Sequence, residues 1–251
     1  MGTNPFAAVT EFWSPLAMKV YIVLMIAAVI IGVIFDVSHK GSGIYFAERR
    51  KRSRVLARNP LSSGKAFALA METLAEAAVS GEFDKTPRRL SHLLTMYGFL
   101  LNVITTLLMV FVYPTATATP RVVPMLWMLG AVMVLAGGLW FFLFLRANVA
   151  VDGDSPWHLG RADLFIGSLL ASMAFALVWH FAQSRYPGTV GAYILFGLYM
   201  FFMTLLFVTV PWSKFAHMFF KPAVAYQRRV EEATGASDLP SPSTQNFIVR
   251  S

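Results

Sequence analysis

Five apolar runs constrain this chain more than any other feature. They lie at roughly 18–36, 92–113, 123–146, 160–183 and 192–215. Each is near or above the length of about 20 residues that crosses a bilayer's hydrocarbon core. In lipid, backbone N–H and C=O groups have no water to bond, so a lone spanning segment of this length is helical. The expected fold class is all-α: a polytopic membrane protein, a bundle of five transmembrane helices. Composition agrees, because only 14% of the 251 residues are charged, against about 25% in ordinary soluble domains.

Short connections at 114–122 and 184–191, holding Pro, Gly or Thr, predict antiparallel hairpins of spans two with three and four with five. The segment 37–91 differs. It carries the basic run "ERRKRSRVLAR" and then an amphipathic stretch, read as a helix over 62–80 that lies outside the hydrocarbon. With five spans, this segment, the loop 147–159 and the C-terminus share one side. That side holds all of the 21 Lys and Arg except Lys19, Arg121 and Arg185. The positive-inside rule then places the N-terminus outside and the C-terminus in the cytoplasm. Residues 1–232 read as one transmembrane domain and 233–251, rich in Pro and Ser, as an irregular cytoplasmic tail. The first residues lack a basic n-region, so they do not read as a secretory signal, and Phe6 breaks the myristoylation pattern.

There is no cysteine, which excludes thiolate-held iron–sulfur clusters, thioether-attached haem and thiol nucleophiles. Five histidines remain as strong metal ligands: His39, His92, His158, His180 and His217. His92 opens the second span and His217 leaves the fifth, both on the basic side. Two imidazoles at one depth on different helices are what a six-coordinate b-type haem needs. Gly98, six residues after His92, lets helices approach or makes room for a macrocycle, and Arg88, Arg89, Lys214 and Lys221 can neutralise its propionates. His158 is a third candidate on that side, although Asp152, Asp154 and Asp163 offer it hydrogen bonds instead. The competing reading takes each histidine as an interfacial residue with one wet nitrogen. His180, beside Trp179 and Tyr186, fits an outer ligand, a quinol proton acceptor or an aromatic belt.

The strings "RRLSHLLTMYGFLLNVITT" and "VPWSKFAHMFFKPAVAY" carry His-x4-Tyr-Gly-Phe and Pro-x-x-Lys-Phe-x-His. They resemble two signature regions of a family of membrane cytochrome b subunits. That family includes the nitrate reductase gamma subunit, the heterodisulfide reductase membrane subunit and the membrane part of quinone-interacting oxidoreductases. "ADLFIGSLLASMAFAL" and "ALAMETLAEA" fit the same pattern, and the resemblance covers roughly residues 62–232. It implies haem b ligated by His92 and His217, with electrons passing between the quinone pool and a cytoplasmic iron–sulfur or flavin oxidoreductase. Adenylylsulfate reductase, in sulfur metabolism, is one such partner.

Two departures stand out. Asn102 and Tyr199 occupy places where two-haem relatives carry the outer ligands, so the resemblance implies one haem, with a second only if His180 is used differently. Asn102, His180 and Tyr199 are then candidates for an outer quinone site. The chain reads as an electron-transfer subunit of a respiratory complex rather than a stand-alone enzyme, embedded in lipid and without a nucleic-acid partner. The alternative is a haem-free anchor that docks a soluble oxidoreductase and binds quinone. A transporter is disfavoured, because the span centres are nearly free of charge.

Overall fold

The computed structural model describes residues 3–39, 42–80, 85–145, 163–210 and 217–237, with the side chains of 42 and 217–220 outside that description. Every regular element among them is helical: α1 (Pro15–His39), α2 (Ser42–Leu56), α3 (Ser63–Ala78), α4 (Thr86–Leu107), α5 (Val122–Trp140), α6 (Leu164–Arg185), α7 (Val190–Thr209) and α8 (His217–Thr234). Helices α4 and α5 each continue into a π-helical turn, Leu108–Val112 and Phe141–Leu145. Five of these are long and apolar enough to cross a membrane: Pro15–His39, Thr86–Val112, Val122–Leu145, Leu164–Arg185 and Val190–Thr209. They overlap the five apolar runs, with ends that differ by up to six residues.

The chain divides into two compact units. One is Met1–Val33 with Phe83–Phe215, and the other is Ile34–Glu82 with Ala216–Ser251. The boundary follows charge, since α2, α3 and α8 carry ionic side chains that hydrocarbon would not solvate.

In the first unit, α4 packs on α5, α6 on α7, and α5 on α6. The expected hairpins are therefore present. Lipid tails are as apolar as leucine, so close backbone approach and hydrogen bonds must hold such helices together. The α4–α5 contact is built that way. A Cβ on Gly98 would lie 2.8 Å from the Gly130 carbonyl oxygen, and one on Gly130 would lie 2.7 Å from the Gly98 carbonyl oxygen. Two turns further along, Ser91 donates to the Gly137 carbonyl at 2.8 Å. A side chain of any size at Gly130 must push the helices apart, so Gly130→Val should cost about 1–3 kcal/mol. A lowered thermal midpoint for the α4–α5 pair in detergent is the expected result.

The second unit is held by ion pairs. Arg49 of α2 grips Glu231 of α8 with two parallel bonds, Nε to Oε1 at 3.0 Å and Nη2 to Oε2 at 2.6 Å. Gln227 adds a third donor to Glu231 Oε1 at 3.1 Å. Arg229 of α8 reaches Glu72 and Glu76 of α3, which are a turn apart on one face. The Thr234 carbonyl accepts from the Arg58 and Asn59 amides at 2.9 and 3.2 Å. The segment read as a basic run plus one helix thus forms two helices, α2 and α3. Arg and Lys are good helix formers, but α2 lacks the apolar periodicity that would announce it. The expected tail lies mostly outside the described residues, and α8 ends at Thr234 before Gly235, whose φ of +72° suits a residue without Cβ.

Arg49 holds the Glu231 carboxyl below its usual range, mainly by hydrogen bonding, against the opposing effect of burial. Its stabilisation is therefore complete above the ordinary carboxylate range and is lost as pH falls through the lowered value. Glu231→Gln should destabilise α8 near neutral pH and flatten its acid dependence, both measurable by amide hydrogen exchange.

Candidate functional site

The three residues nominated for an outer site, Asn102, His180 and Tyr199, come from α4, α6 and α7 and gather around one side chain, Trp127 of α5. His180 meets the Trp127 ring edge-on at 6.0 Å between centroids, and Tyr199 does so at 6.5 Å. Asn102 donates its amide to the Trp127 carbonyl at 3.1 Å. The indole N–H of Trp127 donates to Thr106 Oγ1 at 2.9 Å, and that hydroxyl donates to the Asn102 carbonyl at 2.8 Å. Trp179 completes the cluster, stacked on Tyr199 at 5.6 Å with an interplanar angle of 13°. Asn102, His180 and Tyr199 are buried, Trp127 and Trp179 completely, and Thr106 is half-buried.

Phe6, from the segment preceding α1, inserts its ring among these aromatics, 5.8 Å from Trp127 and 5.5 Å from Trp179. Asn4 holds it there. Its Nδ2 lies 3.1 Å from the Met109 carbonyl, 2.8 Å from the Tyr113 carbonyl and 3.2 Å from Thr119 Oγ1. Its Oδ1 accepts from the Phe6 amide at 3.0 Å. Helix ends leave carbonyls without partners, and here Asn4 caps the π-helical end of α4 from elsewhere in the chain.

Four polar atoms buried in this unit have no hydrogen-bond partner among the described residues: Trp13 Nε1, Trp179 Nε1, His180 Nε2 and Gln183 Oε1. His180 and Gln183 lie three residues apart, hence on one face of α6. Gln183 Nε2 donates to the Ala8 carbonyl at 3.2 Å. Unmet polar atoms in an apolar interior are costly, so this cluster is suited to a ligand that carries both a ring and hydrogen-bonding oxygens.

The haem candidates belong to different units. His92 stands on α4 with its side chain exposed, near Arg88, whose Nη2 donates to the Leu145 carbonyl at 3.3 Å. Gly98 faces α5, where Met133 Cβ and the Val134 amide crowd its missing Cβ at 2.7 and 2.8 Å. Its small size therefore admits α5, and the room assigned to a macrocycle is taken by that helix. His217 opens α8 in the second unit, with its side chain outside the description; Lys214 and His158 fall outside the described residues. Lys221, on α8, is exposed and Arg89 lies in the first turn of α4. His39 is exposed and stacks on Phe35 at 5.5 Å.

His92 is exposed on α4. A haem does not fit the core of the first unit, where Trp127, Trp179, Phe196, Met109 and Met173 are fully buried. His180 faces Trp127 within that packing. Among the described residues no three His, Asp or Glu converge as a metal cluster.

The sequence reading missed Trp127, Asn4 and Phe6, and took Trp179 only as a belt neighbour of His180. The signal available was two tryptophans each about one turn inside a run end, and "NPF" ahead of the first span. No protein-family model, curated protein or solved structure matches the chain. Replacing Asn4 by Ala should free the Phe6 segment at a cost of about 1–3 kcal/mol, read as faster amide exchange over the residues before Pro15.

Proposed function

We propose that this chain is the membrane subunit of a quinone-linked electron-transfer complex, meeting quinone at the Trp127 cluster and a soluble iron–sulfur or flavin oxidoreductase on its basic, cytoplasmic side. The observation that carries the reading is the pair of unpartnered buried atoms, His180 Nε2 and Trp179 Nε1, beside the aromatic rings of Trp127 and Tyr199. A quinone ring stacks on such aromatics, and its oxygens accept from an indole N–H or exchange a proton with an imidazole. The Phe6 ring lies in the same cluster, so the N-terminal segment yields when a ring enters.

His92 is the residue that would hold haem b, with Arg88 and Arg89 near its propionates. When bound, the haem supplies a one-electron iron couple. Its second ligand in this reading is His217. The chain's own residues do the rest: Asn102 and Thr106 orient Trp127, and the packed core keeps water from the ring site. Docking of an acidic partner is served by the arginines of α2.

Purified protein examined by dithionite-reduced minus oxidised spectroscopy, with pyridine haemochrome quantitation, tests the haem assignment. A b-type α-band at one haem per chain is expected, and its loss in His92→Ala. A flat spectrum would remove the haem and leave the second reading, a haem-free anchor, which the close-packed interior of the first unit favours. The quinone assignment is separate. His180→Phe should weaken binding of a quinone analogue about tenfold, the scale of one lost hydrogen bond to a buried group, whichever reading of haem holds.

A further inference from the structure

The second unit carries a basic cleft that the reading above does not use. It has a volume of about 310 Å³ and lies between α2, α8 and the turn after α2. Arg50, Ser53, Arg54, Asn59, Tyr226 and Gln227 line it. Arg50 and Arg54 are four residues apart, so their side chains rise from the same face of α2. Ser53 and Gln227 are buried in its floor.

Charge sets these two arginines apart. Arg49 is neutralised by Glu231, Arg228 by Glu232, and Arg229 by Glu72 and Glu76. Arg50 and Arg54 have no ion-pair partner among the described residues, and no residue lining the cleft is acidic. The carboxylates of α3 and α8 are engaged elsewhere, and two guanidinium forks remain at a concave surface with hydroxyl and amide groups beside them. This chemistry matches a phosphate group: arginine presents planar paired donors to phosphate oxygens, and Ser, Tyr and Asn side chains supply further hydrogen bonds.

We propose that this cleft binds a phosphate group. The chain places it close to lipid. α2 starts three residues after α1, the first membrane-length helix, ends at His39. Eight further residues of helix at 1.5 Å each, plus a three-residue link, put Arg50 within about 22 Å of that end. A headgroup phosphate of an anionic phospholipid is thus within reach, and free phosphate shares the chemistry. The inference does not depend on haem or quinone.

The test uses the full chain in detergent, titrated with phosphatidylglycerol or phosphatidylcholine and followed by native mass spectrometry, with inorganic phosphate as competitor. Phosphatidylglycerol should be retained over phosphatidylcholine. The double variant Arg50→Gln/Arg54→Gln should lose that retention by about tenfold or more. Arg228→Gln, which removes an exposed charge from the same unit, should not change it. Arg54→Lys keeps the charge without the fork and should fall between, which preserves the test if the double variant misfolds. Displacement of lipid by inorganic phosphate would assign the site to the free ion as well, and resistance to it would assign the site to lipid alone. Equal loss in Arg228→Gln, or undiminished phosphatidylglycerol retention in the double variant, would overturn the proposal.

Discussion

The backbone contact between Gly98 and Gly130 is the constraint on which the rest of the first unit depends. With carbonyl and amide groups of α4 and α5 brought this close, the two helices cannot slide, because any shift drives Cβ atoms into backbone. That register puts Asn102 under the Trp127 carbonyl and Thr106 under its indole N–H. Trp127 is thereby fixed at both backbone and ring, and becomes the surface on which Trp179, Tyr199, His180 and Phe6 assemble. In a bilayer this order of causes is natural. Apolar side chains gain little by leaving lipid for protein, so specific contacts decide the arrangement.

The second unit obeys the opposite physics. Its helices carry too much charge for hydrocarbon and are joined by paired carboxylates and guanidinium groups. Each glutamate on α3 and α8 that meets an arginine also fixes which arginines are left over. The basic cleft is what remains after Glu231, Glu232, Glu72 and Glu76 have taken their partners. One chain thus uses two kinds of adhesive, small-residue packing among its spans and ion pairs among its charged helices. The boundary between the units falls inside α1, after Val33, where the apolar run gives way toward Asp36 and His39.

Asn102 shows how the two levels of description differ. Read in sequence it is a missing histidine, a place where a two-haem relative would hold a metal. In the folded chain it is a structural donor, bonding α5 and setting Trp127. Gly98 shows the same displacement, since its lack of a side chain serves α5. His180 and Tyr199 were nominated by depth alone, and the fold brings both to the same indole. Phe6 and Asn4 were invisible because nothing in a short segment ahead of a span says which helix end it will cap.

What the sequence determined by itself is the class of fold: five apolar runs of membrane length, two short connections that force hairpins, and a charged remainder that lipid cannot solvate. These follow from one-dimensional quantities, length and hydropathy. The tertiary structure decided which small residues are contact points, which polar atoms are left without partners, and which arginines stay unpaired. Those are properties of pairs of residues far apart in the chain. Asn4 and Met109, or Arg49 and Glu231, meet only after helix registers are set, and no local pattern records a register.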